Sequence, residues 1–407
     1  MTLFPAPSIE SKSSWIIACV ALGIMTVSFG AVWIIVIALK QIAAEHGDAR
    51  SIPALASAFA WFGQGLGGII MGRLADVVGV RTTVICGAVM ICVGLLLSTG
   101  GAPWQLYVGH GLFIGVLGNG GINAPFYVYI SRWFDRRRGS ALALISSGAY
   151  VAGAIWPNIF EPAIANAGWR ATMFWYGLFE VALIVPLALI FLKSPPELPH
   201  VAAQGEATGK LRVFGWPPNA VYIPLAAAGF LCCVTMSMPQ AHLVAFCSDI
   251  GIRSSHGAAM ISLLLGAGFL SRQMWGFVSD RIGGIRTLLL SSACQATAMT
   301  GFLLTQHEIG LFLVSAAFGL GFAGLIPAYV LTIRQLFPAA EASWRIPTLL
   351  LLSGGGMGTG GWLAGALYDH FGYYAPAFAA GVAANLLNFA LIAGIFFRQR
   401  YVWRRDR

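Results

Sequence analysis

Charge is scarce in this chain. Aspartate, glutamate, lysine and arginine make up 10% of its 407 residues, while 58% are apolar. An ordinary soluble domain carries roughly 25% charged residues. So few charges cannot cover a water-soluble surface, which excludes a soluble globular protein and leaves a chain that crosses a membrane many times. Catalytic equipment is missing too. The seven cysteines, Cys19, Cys86, Cys92, Cys232, Cys233, Cys247 and Cys294, lie in or at the ends of apolar runs without metal-ligand spacing, and read as small packing residues. Gly205-Glu206-Ala207-Thr208-Gly209-Lys210 is one residue short of a phosphate-binding loop and continues into Leu211. Gly319-x-Gly321-x-x-Gly324 has dinucleotide spacing but lies in an apolar helix with no strand before it, where close helix packing is the better account. No His, Asp, Glu or Cys cluster forms a catalytic set, so neither an enzyme nor a cofactor is expected, and any transport is expected to be secondary. A cleavable leader is also not evident, because the first apolar run is longer than a leader's core and lacks a small-residue exit.

What the chain has in abundance is apolar runs of about twenty residues, the length that spans a bilayer core as a helix. They fall at 15–39, 51–71, 82–100, 104–130, 139–163, 171–192, 221–246, 255–278, 287–305, 310–333, 347–368 and 375–397. The one long break, 193–218, holds Pro195-Pro196-Glu197, Lys210 and Pro217-Pro218. It reads as a cytoplasmic linker between a six-helix half at 1–192 and another at 219–407.

Those halves echo each other. Gly72-Arg73-Leu74-Ala75-Asp76-Val77-Val78-Gly79 and Gly276-Phe277-Val278-Ser279-Asp280-Arg281-Ile282-Gly283 both read G-x-x-x-D-x-x-G, and an arginine follows each, Arg81 and Arg286. The two glycines that open the motifs stand 204 positions apart, half the chain. Ser131-Arg132-Trp133-Phe134 is echoed by Ile333-Arg334-Gln335-Leu336-Phe337, and Gly168-Trp169-Arg170 by Gly372-Tyr373-Tyr374. Duplicated membrane bundles place their substrate between the repeats, near the midplane.

Orientation follows from basic residues. With cytoplasmic termini, nineteen of the twenty-four lysines and arginines lie in inner loops and tails, as the positive-inside rule requires. Lys40, Arg50, Arg170 and Arg253 fall on the other side, and Arg272 lies within a helix. A multi-pass protein of the cell's inner (plasma) membrane is expected. The net charge of +9 then faces anionic lipid headgroups in the bilayer, with no nucleic-acid partner.

The paired loops resemble the signature of the major facilitator superfamily over the whole chain. Trp133-Phe134-Asp135-Arg136-Arg137-Arg138-Gly139, Met238-Pro239-Gln240-Ala241-His242-Leu243 and Arg272-Gln273-Met274-Trp275-Gly276 are similar to the monocarboxylate transporter branch and its bacterial oxalate:formate antiporter relatives. The resemblance implies an all-α membrane fold of twelve helices in two pseudo-symmetric six-helix halves. It also implies alternating access, an arginine at the position of Arg272 that binds the substrate carboxylate, and a substrate-site histidine in the seventh span. Two departures matter. Gly268 stands where eukaryotic members carry an acid one turn before the arginine, and 347–368 holds no lysine or arginine where the oxalate carrier has a second cation.

The residues support that reading in their own right. Arg272 lies eight positions before Asp280, roughly 12 Å inside the loop. A guanidinium there costs several kcal/mol unless paired or wetted, and its planar fork matches a carboxylate; the alternative is that it snorkels to the interface. His242, on the outer part of the seventh span, can donate to a carboxylate or carry a proton, or can simply pack. Tyr329, Asn123 and Tyr127 are neutral hydrogen-bonders suited to a small organic anion, and Phe29 offers an apolar wall. Glu180 is the one acid deep in a span, a second place for a proton or a structural residue. Asp76, Arg81, Asp280 and Arg281 sit at helix ends where ion pairs can bias rocking between two packings. The expected function is secondary transport of a small monocarboxylate in symport with a proton; exchange of the oxalate:formate type and efflux of another small molecule are the alternatives.

Overall fold

The computed structural model describes residues 10–193 and 212–405. Most of the expected linker, with Lys210 and the Gly205–Lys210 stretch, therefore lies outside the described residues. Apart from one isolated bridge, Val213 to Trp216, the regular structure is helical. Nine helices among the described residues are long and apolar enough to cross a membrane. One of them, Gly139–Phe191, holds two crossings because Gly168 (φ 80°, ψ 162°) bends it sharply.

The first three spans are Lys12–Ile37, Ser51–Val78 and Val80–Ser98. The fourth is interrupted: Pro103–Val108 leads into a π-helical stretch, Gly109–Asn119, before the α-helix Gly120–Ser131. Its glycines let it press against its neighbours. The fifth and sixth run from Arg138–Ser146 through Gly148–Phe191. The seventh, eighth and ninth are Pro218–Asp249, Ser254–Ile282 and Gly284–Leu304. The tenth is broken into Glu308–Phe322 and Leu325–Leu336, and Ala339–Phe371 and Ala375–Arg405 complete the bundle. This is the expected twelve-helix architecture.

At the paired loop motifs the sequence duplication is also a duplication of backbone. Gly79 (φ 84°, ψ 152°) and Gly283 (φ 82°, ψ 164°) close the paired motifs in the same conformation. It is one that side-chain-bearing residues rarely adopt, which explains the glycine in both copies. The Gly319–Gly324 stretch packs as expected: a methyl group at Gly319 would collide with the Leu264 carbonyl, and one at Gly324 with the Trp275 ring.

Contacts between the two sets of six helices differ from one face to the other. At mid-depth the second span packs on the eleventh, with Gly65 against Leu351 and Gly358 against Ala58, and the fifth packs on the eighth, with Gly266 against Ala154. Asn158 Nδ2 donates to Ser262 Oγ at 2.9 Å along the second of these seams. On the face opposite the basic loops, here the far face, charged groups bridge the halves: Lys40 Nζ reaches Asp249 at 3.0 Å and the Ser51 amide donates to Asp369 at 2.9 Å. At the basic face the pairs Arg132–Asp76 and Arg345–Glu341 each stay within one half. The molecule is closed at the far face.

Candidate functional site

Arg272 sits eighteen residues into Ser254–Ile282, about 27 Å from the helix start, and is half-buried. No carboxylate pairs with it among the described residues. Its guanidinium carbon stands 5.3 Å from the centroid of Tyr150, a cation–π contact from the fifth span across the seam. Tyr150 in turn stacks on Phe322, with centroids 6.1 Å apart and planes 24° from parallel. Tyr127 lies within electrostatic reach of Arg272 and beside Ser146. Asn123, one turn along from Tyr127, has a buried Oδ1 with no partner, and Asn119, a turn further, has neither side-chain atom satisfied. The structure thus gathers an unpaired cation and two phenols, and from Tyr127 the fourth span continues into two amides with open hydrogen-bonding capacity. Such a site can take one carboxylate in a bidentate bond and a neutral polar substituent beside it.

Tyr150 carried no signal in the sequence, being one aromatic among many. Its neighbour supplies the reason for a departure. A Cβ at Gly268 would lie 3.0 Å from the Tyr150 ring, so the space a side chain would take there is filled by this ring. Replacing Gly268 with alanine is expected to push Tyr150 off Arg272 and weaken carboxylate binding about tenfold; unchanged affinity in a competition assay would show that Tyr150 does not help hold the anion.

Other candidates are placed elsewhere. Tyr329 is fully buried and donates to Asn388 Oδ1 at 2.5 Å, joined through Asn388 Nδ2 to Ser292 and Asn385. Its hydroxyl is committed to that network in this state. Phe29 packs on Trp61 with centroids 6.2 Å apart. Trp61, Trp33, Ser57, Gln240 and Gly361 line a cavity of about 20 Å³ on the far side of mid-depth, enough for a single water. Glu180 is fully buried with both oxygens unsatisfied, against Cys92 of the third span, inside the first six helices and away from Arg272. Asp76 accepts from Arg132 Nη2 at 3.4 Å, both exposed, and Arg81 Nε donates to the Leu192 carbonyl at 2.8 Å. Arg281 lies over Phe277 at 5.0 Å and Asp280 is exposed. None of these four bridges the halves in this state.

His242 is not beside Arg272. It lies seven residues from the far end of Pro218–Asp249, so the two differ in depth by roughly 16 Å. It is fully buried, with Nδ1 3.0 Å from Tyr374 Oη and Nε2 2.8 Å from the Gly361 carbonyl. Both nitrogens are occupied by protein groups in this state.

Around His242 stands a cluster that sequence reasoning missed. Arg50 donates to both oxygens of Asp249, at 2.5 and 2.7 Å, and to Tyr374 Oη at 2.7 Å, and its guanidinium lies 3.6 Å from the Tyr368 ring centroid. The Arg50 amide donates to Asp369 Oδ1 at 2.8 Å. Burial works against the Arg50 charge, but its bonds to Asp249 and Tyr374 outweigh that and hold the guanidinium above its ordinary range. A second far-face pair, Arg170 with Glu45 at 2.6 Å, lies within the first six helices, and its hydrogen bond holds Glu45 below the usual carboxylate range. A signal was there: three of the four basic residues that break the positive-inside pattern, Lys40, Arg50 and Arg170, are those with acidic partners here.

Residues 20–343 match the profile of the Major Facilitator Superfamily. The chain belongs to the major facilitator superfamily. It is 27% identical over 334 residues to the MFS-type transporter pynF of Aspergillus niger, covering 78% of this chain and 74% of that one. To Monocarboxylate transporter 13 of Bos taurus it is 24% identical over 324 residues, 79% of this chain and 74% of the other. A bacterial homologue of the human lysosomal transporter Spinster, solved inward-facing and occupied, superposes with a TM-score of 0.73 at 16% identity over 96% of this chain and 98% of that one. This major facilitator protein is thus a multi-pass membrane transporter of a small-molecule substrate, and not an enzyme.

Proposed function

We propose that this transporter carries a short monocarboxylate together with a proton across the plasma membrane by alternating access, with its basic face cytoplasmic. The observation that carries the reading is Arg272, a cation with no protein counter-ion among the described residues, set between Tyr150 and Tyr127 in the membrane interior. Such a charge is stable when an anion or water meets it, and one guanidinium balances one carboxylate. Asn123 and Asn119 suit a 2-hydroxy or 2-oxo substituent. The likeness to a monocarboxylate transporter supports this substrate class. His242 and Glu180 are the two buried titratable groups proposed to take the proton, and Asp76, Arg81, Asp280 and Arg281 are proposed to form ion pairs that close the basic face in the opposite state.

Purified protein screened by thermal shift is expected to respond to short monocarboxylates and less to oxalate or malonate, whose second charge finds no partner near Arg272. Dicarboxylates that stabilise at least as well would overturn the valence reading. Anion exchange is favoured by one observation: among the described residues no acid pairs with Arg272 to neutralise it when substrate leaves. Uptake into proteoliposomes separates the two modes. A proton gradient alone should drive accumulation in symport; uptake that requires an anion inside would identify exchange.

A further inference from the structure

The far-face cluster has a strict hydrogen-bond logic. A carbonyl only accepts, so His242 Nε2 carries a hydrogen toward Gly361 at 2.8 Å. In the neutral ring Nδ1 is then the acceptor, and the Tyr374 hydroxyl donates to it across 3.0 Å. That leaves the phenol oxygen to accept from Arg50 Nη1 at 2.7 Å, while the same guanidinium fills both oxygens of Asp249. Every group in the chain from Asp249 through Arg50 and Tyr374 to His242 has its partner. The chain joins the start of the second span to the seventh, the eleventh and the turn before the twelfth, and so crosses between the halves.

We propose that this chain is a proton-sensitive latch: a proton taken up at His242 Nδ1 loosens the far-face closure and favours the state open to that side. With a second hydrogen on the ring, Nδ1 and the Tyr374 hydroxyl aim hydrogens at each other. The phenol must turn its own away from the only acceptor it has. The charges oppose the proton as well. Arg50 and Lys40 are balanced by Asp249 and by Asp369, which is already taken up by the Arg50 and Ser51 amides at 2.8 and 2.9 Å. Tyr368, below Arg50, is neutral. An imidazolium would add an uncompensated charge at a fully buried ring, separated from Arg50 by one phenol oxygen. Parting the halves removes Arg50 and lets water reach the ring. Proton affinity is therefore higher when the far face is open, and by linkage acid favours that state. The inference deepens the proton half of the proposed function and rests on it. It assigns His242 to the gate rather than to the carboxylate.

The test needs no substrate, so its failure is separable from failure of the monocarboxylate reading. Spin labels are placed on cysteines at exposed positions of the two halves, Ala44→Cys and Ser255→Cys, after the exposed Cys19, Cys86 and Cys294 are changed to serine. Distances are measured by pulsed electron paramagnetic resonance at about pH 8 and about pH 5, either side of the ordinary histidine range. The longer-distance population is expected to grow about tenfold relative to the shorter on acidification. In His242→Gln the growth should be absent. His256, whose pair with Glu308 lies within one half, is unchanged in both proteins. Tyr374→Phe removes the hydroxyl that links His242 to Arg50, so the longer population should be present at both pH values without a pH response. A wild-type distribution that ignores pH, or a full response surviving in either variant, would overturn the latch.

Discussion

Replacing Arg272 with alanine should abolish carboxylate binding while leaving the helical content intact. Two charge-assisted hydrogen bonds to a carboxylate are worth about 1.5–3 kcal/mol each, so their joint loss lowers affinity by about 10² to 10⁴-fold. The fold should tolerate the change. Arg272 is half-buried, has no acidic partner among the described residues, and touches Tyr150 through a cation–π contact at 5.3 Å; removing an unpaired cation from an apolar helix relieves a cost. Arg272→Lys is expected to recover little, because an ammonium lacks the planar fork. Titration calorimetry with a short 2-hydroxy or 2-oxo acid, alongside circular dichroism, checks both halves of this expectation. An alanine variant that binds as wild type would move the anion site elsewhere.

Asp249→Ala is expected to open the far face. Arg50 is 6% exposed and its guanidinium donates to both oxygens of Asp249, so the substitution strands a buried guanidinium. For a fully buried pair that costs about 3–5 kcal/mol. Here the Asp249 side chain keeps 21% of its exposure, and about 2–3 kcal/mol is the better figure, a shift of about 30- to 160-fold toward the far-open state. Gln240 is buried beside the far-side cavity and serves as reporter. In Gln240→Cys, modification by a membrane-impermeant thiol reagent from the far side should accelerate by that factor when Asp249→Ala is added. Arg50→Met combined with Asp249→Leu removes both charges and should return the labelling rate most of the way toward that of the parent. An unchanged rate in Asp249→Ala would show that the pair does not hold the halves together.

Much of this was legible in the sequence because the bilayer leaves few choices. A helix is the only irregularity-free way to carry an isolated span through hydrocarbon, so apolar length alone places the spans. Ends and interruptions were harder. The eleventh crossing runs as Ala339–Phe371, beyond the apolar 347–368, because Glu341 and Arg345 pair one turn apart at 2.7 Å and extend it past the membrane. The π stretch Gly109–Asn119 depends on how closely the second and third spans approach it, which no local pattern states. Arg272 was legible as an isolated charge. Tyr150 was not, since its role arises from facing Gly268 and Arg272 across the seam between halves. Tyr329 and His242 were read as substrate contacts from residue type and span, but their partners Asn388 and Tyr374 come from 59 and 132 positions away. Those partners decided where each side chain points.

Counterflow in proteoliposomes tests the central claim most directly. Vesicles holding wild-type protein and loaded with an unlabelled short monocarboxylate should accumulate the labelled compound from outside, those holding Arg272→Ala should accumulate none, and external oxalate should compete poorly with wild type. Accumulation by the alanine variant, or inhibition by oxalate as strong as by the monocarboxylate itself, would contradict a single-cation monocarboxylate site at Arg272.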